Sequence, residues 1–103
     1  MTEAALIVLA GELDHGSADA LRTRLAQAGM AFEGEEITVD LSGVTFIDST
    51  GLGVLVGATR SSRSAGGDIR LVGCRPSMLR VLNIAGLDRF FTLADQRCDV
   101  SVG

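Results

Sequence analysis

The chain of 103 residues has no lysine, tryptophan or tyrosine, and only one histidine. With just four phenylalanines as aromatic residues, the core must be aliphatic, and little surface is left on which nucleic acid bases could stack. All nine cations are arginines, and 13 acids outnumber them to give a net charge of −4. Nucleic acid binding needs a dense basic face, so this composition excludes it as a principal function.

Metal ligands and membrane segments are also lacking. Cys74 and Cys98 lie far apart and form no CxxC pair, and His15 is the only histidine, so no metal site is expected. We predict two reduced, buried or half-buried thiols in a reducing compartment. No apolar run approaches the about 20 residues of a membrane span, and no basic-then-apolar leader opens the chain. These absences favour a soluble, cytoplasmic protein without a membrane segment.

The hydrophobic residues, 47% of the chain, alternate between strand-like and helix-like segments. Short aliphatic runs predict strands at 4–10, 37–41 with a continuation at 44–47, 69–72 and 90–93. Apolar stripes at helical spacing predict helices near 18–28, 50–64 and 76–85. Ser17 is a candidate N-cap and Gly29 a candidate stop for the first helix, and the tail 94–103 is expected to fray. The order β-α-β-α-β-α-β predicts one α/β domain with a four-stranded, mostly parallel sheet.

The most informative segment, Asp48-Ser49-Thr50-Gly51-Leu52-Gly53, lies between a predicted strand and the second predicted helix. A helix N-terminus carries unpaired N–H groups and partial positive charge, so it tolerates an anion. The carboxyl ends of parallel strands meet at one edge of a sheet, so this loop should lie beside the loop of Asp14 and His15. The pattern predicts that Ser49 is presented outward, to be bonded or modified.

The sequence argues against a catalytic role for this segment. A serine nucleophile needs a base, for which only His15 is available, and Ser49 does not lie in a GxSxG motif. Gly51 and Gly53 do not complete a GxGxxG motif, and a GxxxxGKS loop is impossible without lysine. We therefore expect no catalytic residues and no nucleotide site. Two alternatives stay open at this point: Ser49 is a plain helix N-cap, or it is a phosphorylation site.

Residues 39–57 resemble the phosphorylation segment of STAS-domain anti-sigma factor antagonists, and Gly11-Glu12-Leu13-Asp14-His15 resembles the first loop of that family. Segments 65–72 and 82–87 fall where the family has its third strand and last helix. The resemblance covers about residues 4–93 and implies a single STAS domain over 1–103. Only Met1-Thr2-Glu3 precede the first predicted strand. The additional N-terminal edge strand that family members commonly have is therefore expected to be missing or drastically shortened.

The resemblance implies a regulatory cycle. The unphosphorylated domain binds an anti-sigma factor that is also a serine/threonine kinase, and this binding frees the sigma factor. The kinase then phosphorylates the serine that follows the aspartate of the motif, here Ser49, and a metal-dependent serine phosphatase resets the cycle. ATP and magnesium belong to the kinase, so the resemblance implies no cofactor and no enzyme activity for this chain.

The resemblance also assigns the neighbours of the phosphorylation site. Asp48, Thr50 and Gly51 flank it, and the partner is expected to bind Asp14, His15, Leu52 and Gly53. The alternative function is a STAS docking subunit, without phosphorylation, in a stress-sensing or lipid-transport assembly.

Overall fold

The computed structural model describes residues 5–94, in which four strands and three helices alternate. In chain order they are β1 (Ala5–Leu13), α1 (Ala18–Ala31), β2 (Glu36–Ile47), α2 (Ser49–Ser64), β3 (Asp68–Val72), α3 (Pro76–Ile84) and β4 (Thr92–Leu93). The strands form one sheet in the order β1-β2-β3-β4, and every neighbouring pair is parallel. The predicted α/β architecture is confirmed. The expectations for the N-terminal edge strand, for Cys98 and for the tail beyond Ala94 concern residues outside the described range.

The sheet buries one face. Alternate residues along the strands are buried, and they form a common core with the inner sides of the helices. The strand residues of this core include Ile7, Leu9, Ile37, Val39, Leu41, Ile69 and Leu71, and the helix residues include Leu21, Leu25, Leu55, Met78 and Leu82. On the opposite face Leu6 and Val8 are more than half exposed. The core is aliphatic, as the scarcity of aromatic residues requires.

Several element boundaries differ from the predicted ones because glycine does not always end an element. β1 continues through Gly11 to Leu13, since Gly11 adopts a positive φ of 82° where the pairing with β2 shifts register. Gly29 does not end α1, which continues to Ala31. The predicted strand at 90–93 is reduced to Thr92–Leu93, because the N–H groups of Phe90 and Phe91 bond to a turn carbonyl instead of a neighbouring strand.

The outer edge of β1 is partly covered by a side chain of α1. Arg24 donates a hydrogen bond from Nη1 to the carbonyl oxygen of Val8 at 3.2 Å. Within residues 5–94, β1 pairs only with β2, so its other edge has no neighbouring strand there, and the Val8 carbonyl takes a donor from α1 instead.

The start of α2 lies directly against the end of β1. A Cβ atom on Gly51 would lie 2.3 Å from the carbonyl oxygen of Leu13, which no real side chain tolerates. The same carbonyl accepts a hydrogen bond from the N–H of Asp48 at 3.1 Å. A Cβ on Gly53, by contrast, would meet no atom within 4 Å. Gly51 therefore permits the close approach that places the loops after β1 and β2 side by side.

We predict that Gly51→Ala lowers the free energy of unfolding by about 1–3 kcal/mol, because the methyl group must push α2 away from the backbone of β1. Gly53→Ala is the matched control, since it makes the same change at an exposed position of the same helix. It should raise stability by about 0.5–1 kcal/mol through the better helix propensity of alanine. Urea unfolding of both variants measures the difference, and equal stabilities would contradict the close contact.

Candidate functional site

Asp48 is the N-cap of α2 and also holds the loop that follows β1. Its Oδ1 accepts hydrogen bonds from the N–H groups of Thr50 at 2.9 Å and Gly51 at 3.0 Å. Its Oδ2 accepts a hydrogen bond from the N–H of His15 at 3.2 Å. One carboxylate thus fixes the first turn of α2 and joins it to the neighbouring loop.

These bonds lower the pKa of Asp48 below its ordinary value. The largest contribution comes from the N–H of Gly51, and the N–H groups of His15 and Thr50 act in the same direction. The carboxylate is therefore ionised at neutral pH, where its negative charge offsets the positive end of the α2 dipole.

The sequence left two alternatives open for Ser49, and the first of them, that Ser49 is a plain helix N-cap, is wrong. Ser49 is not the N-cap but the first residue of α2, and the capping bonds come from Asp48. Asp is among the best N-cap residues, and its place directly before an apolar helical stripe is a signal that could have identified it.

The loop after β1 is stabilised by its own pair of side chains. Asp14 Oδ1 accepts a hydrogen bond from the N–H of Ser17 at 3.1 Å, and Ser17 Oγ accepts one from the N–H of Asp14 at 3.0 Å. Ser17 Oγ also donates to the carbonyl oxygen of Glu12 at 2.8 Å. Ser17 lies at the N-cap position of α1, as predicted, but its hydroxyl is engaged within the loop and makes no side-chain capping bond to the helix. The reciprocal Asp14–Ser17 pair resembles a capping box that begins three residues earlier.

Of the residues expected at the site, most lie on one surface. Ser49, His15 and Gly53 are exposed, and Asp14, Asp48 and Thr50 are half-buried. The hydroxyl of Ser49 makes no hydrogen bond to any of residues 5–94. Leu52 differs from the others, because it is only 8% exposed and belongs to the core. The Leu52 side chain lies below the surface and packs in the core beneath the first turn of α2.

A groove of about 850 Å³ runs between α1 and α2 and starts beside Ser49. Its walls include Arg22, Ala26 and Met30 from α1, and Ser49, Gly53 and Gly57 from α2. The sequence patterns did not predict this groove. The i, i+4 spacing of Ser49, Gly53 and Gly57 on α2 is the signal that could have indicated it, because small residues on one helix face leave space beside a neighbouring helix.

The described residues support neither a metal site nor a reactive cysteine. No group of three or more His, Cys, Asp or Glu side chains within residues 5–94 could hold a metal ion. Cys74 is buried, as predicted, and burial raises the pKa of its thiol to about 11. Its thiol is therefore protonated at neutral pH and a weak nucleophile. Between residues 5 and 94, no helix has the length and apolar character that crossing a membrane requires.

Comparison with known proteins identifies the family to which this fold and site belong. The STAS domain family model matches residues 2–99. The chain is 37% identical over 79 residues to the anti-sigma-B factor antagonist of Bacillus subtilis (strain 168), covering 77% of this chain and 71% of that protein. It is 31% identical over 90 residues to the anti-sigma F factor antagonist of Paenibacillus polymyxa, covering 87% of this chain and 77% of that protein. The chain belongs to the STAS domain family and, within it, to the anti-sigma factor antagonists.

A solved structure adds a relative in a modified state. The fold matches that of the Bacillus cell fate determinant SpoIIAA in its phosphorylated form, with a TM-score of 0.65 and 25% identity over 96% of this chain and 91% of the other. Anti-sigma factor antagonists are regulators without enzyme activity, in agreement with the lack of catalytic motifs in the sequence.

We predict that Asp48→Ala lowers the free energy of unfolding at neutral pH, because three backbone N–H groups lose their acceptor. The pKa of Asp48 is lower in the folded protein than in the unfolded chain, so the carboxylate stabilises the fold above the unfolded pKa of about 3.9. This contribution is lost as the pH falls through the folded pKa. The stability difference between wild type and variant should therefore be constant near neutral pH and shrink below about pH 4.

Urea unfolding at a series of pH values measures this difference. Asp19→Ala is the control, because the Asp19 side chain is 99% exposed and its ion pair with Arg22 is of a kind that contributes little. If Asp48→Ala behaves like Asp19→Ala at neutral pH, the capping role of Asp48 is wrong.

Proposed function

We propose that this protein is an anti-sigma factor antagonist whose binding to its partner is switched off by phosphorylation of Ser49. The unphosphorylated domain binds an anti-sigma factor that is also a serine/threonine kinase, and so releases a sigma factor. The kinase supplies ATP and magnesium, a metal-dependent serine phosphatase removes the phosphate, and the cycle takes place in the cytoplasm. The chain itself needs no cofactor.

The observation that carries this proposal is the separation of Ser49 from the bonds that hold its loop together. Asp48 caps α2, and Gly51 contacts β1, but Ser49 is exposed and its hydroxyl bonds to none of residues 5–94. A phosphate on this hydroxyl would break no hydrogen bond of the fold. Phosphorylation would therefore change the charge of the surface while leaving its scaffold intact.

Thr50 is a poorer acceptor for the same kinase. Its side chain is half-buried, and its N–H is bonded to Asp48 within the first turn of α2. The backbone of Thr50 is thereby held in the helix, while Ser49 lies at its end. This geometry supports Ser49 as the modified residue.

The charge of the surface explains how a phosphate could weaken binding. Phosphate adds about −1.5 to −2 charges at pH 7, next to the ionised Asp48 and near Asp14. In the proposed complex, one of these carboxylates meets an arginine of the kinase through charge-assisted hydrogen bonds. A phosphate at Ser49 would crowd these acids and leave a charge at the interface poorly paired. His15 and Gly53, both exposed on the same surface, complete the proposed contact area, with Leu52 supporting it from within the core.

We expect Ser49→Ala to abolish phosphate incorporation by the anti-sigma factor kinase of the same organism, and Thr50→Ala to reduce it at most. Mass spectrometry after incubation with kinase, ATP and magnesium measures this. Phosphate on the Ser49→Ala protein at the wild-type level would rule out Ser49 as the acceptor.

We expect Ser49→Asp to weaken binding to the unmodified kinase by about tenfold or more, because loss of a buried charge pair costs about 2–5 kcal/mol. Ser49→Ala should bind as well as wild type. Ser64→Asp is the control, since it places the same charge at an exposed position at the other end of α2. Calorimetric titration gives the affinities, and thermal unfolding shows that the fold is unchanged. Equal affinities of Ser49→Asp and wild type would favour a docking subunit without a phosphorylation switch.

A further inference from the structure

The helix N-terminus beside Ser49 is largely unable to bind a phosphate. The N–H groups of Thr50 and Gly51, which point out of the first turn of α2, already donate to Asp48. The same carboxylate adds a negative charge next to Ser49, and Asp14 lies in the adjoining loop. A phosphate on Ser49 therefore meets occupied donors and two acids, so its charge must be balanced by a cation from another element.

Arg22 of α1 is placed to supply that cation. It lines the same groove as Ser49 and is the only cation among the described residues of the groove wall, while Glu33 is the only acid there. α1 and α2 each follow a strand of one parallel sheet, so both start at the edge where the Ser49 loop lies and run in the same direction. Arg22 lies four residues after the start of α1 and Gly53 four residues after the start of α2, and both line the groove.

The space between Arg22 and Ser49 is open. Side chains on a helix tilt toward its N-terminus, so the long side chain of Arg22 extends toward the level of Ser49. Gly53 has no side chain to block this path, and even an added Cβ would touch nothing within 4 Å.

The present partner of Arg22 holds it weakly. Its Nη1 lies 2.7 Å from Oδ1 of Asp19, but the two side chains are 58% and 99% exposed. Exposed ion pairs of this kind contribute little to stability, whereas arginine binds phosphate through two parallel charge-assisted hydrogen bonds. An exchange of Asp19 for a phosphate dianion is therefore favourable.

We propose that Arg22 is the phosphate-binding residue of the modified protein: when Ser49 carries a phosphate, the guanidinium leaves Asp19 and binds the phosphoryl oxygens across the Ser49 end of the groove. This inference rests on Ser49 being the phosphorylation site. It adds a second effect of the modification, because Arg22 then joins α1 to α2 where the groove had been open. The modified surface differs from the unmodified one in shape as well as in charge.

The test measures the second pKa of phosphoserine, which is about 6 when unperturbed. Phosphoserine is placed at position 49 during translation, and ³¹P NMR follows its titration in the full chain. The charged and titratable groups around it are Asp14, His15, Asp19, Arg22 and Asp48. An arginine bound to the phosphate favours the dianion, so Arg22→Gln should raise this pKa by about half a unit, which is about a threefold change in proton affinity.

Two control variants separate this effect from general electrostatics. Arg24→Gln removes the same charge two positions away on α1, where the side chain instead bonds to Val8 at the edge of β1, and it should leave the phosphate pKa unchanged. His15→Gln removes the imidazole of the neighbouring loop. If Arg22→Gln leaves the titration unchanged, or if either control shifts it as much as Arg22→Gln does, the proposal is wrong.

Because phosphoserine is incorporated without a kinase, this experiment does not depend on recognition by the partner. Failure of the kinase to modify Ser49 would reject the proposed function and leave the titration result intact. An unchanged titration would reject the role of Arg22 alone.

Discussion

The candidate site depends on one carboxylate. Asp48 accepts hydrogen bonds from Thr50 and Gly51 in its own helix and from His15 in a loop that is distant in sequence. Capping residues usually satisfy the donors of a single helix end. Here the second oxygen of the same side chain also positions the loop after β1, so the ionised form of Asp48 holds the two neighbouring loops together. The sequence pattern drew attention to Ser49, but the position of Ser49 depends on the hydrogen bonds of the adjacent Asp48.

Close packing of the start of α2 against the end of β1 stabilises this arrangement. The carbonyl of Leu13 accepts the N–H of Asp48, and Gly51 lies so near to it that a side chain would not fit. The end of β1, the cap residue Asp48 and the start of α2 are therefore joined in one closely packed unit. The two glycines of the motif have different roles: Gly51 allows this contact, and Gly53 leaves space on the groove side of the helix. A modification of Ser49, two residues before Gly51, would alter the surface without breaking a hydrogen bond of this unit.

The sequence predicted the architecture well, because hydrophobic periodicity and the order of elements report directly on which faces are buried. It also placed Asp14, His15 and Ser49 at one edge, since this follows from the parallel sheet. The sequence-based prediction was less accurate where a polar side chain can bond either to a helix end or within its own loop. Ser17 and Asp48 both lie at N-cap positions, and only the three-dimensional structure shows that the Ser17 hydroxyl bonds within its loop while the Asp48 carboxylate caps α2. The burial of Leu52 could have been predicted from the sequence, because Leu52 lies on the apolar stripe of α2.

Glycine was the least informative residue type in the sequence. Gly11 and Gly29 both looked like element ends, yet one adopts a positive φ inside a strand and the other lies within a helix. The groove between α1 and α2 was missed for a related reason: it arises from the way two helices lie side by side, and no short segment encodes that distance.

The bond between Arg24 and Val8 affects how this domain can assemble. Within residues 5–94 the parallel sheet ends in the long strand β1, on which Leu6 and Val8 are exposed, and such an edge offers backbone groups to which a strand of another molecule could add. Arg24 occupies one of the outward carbonyls, and the register shifts of β1 near Gly11 disturb the regular spacing of the rest. Both features make the strand a poor template for sheet extension.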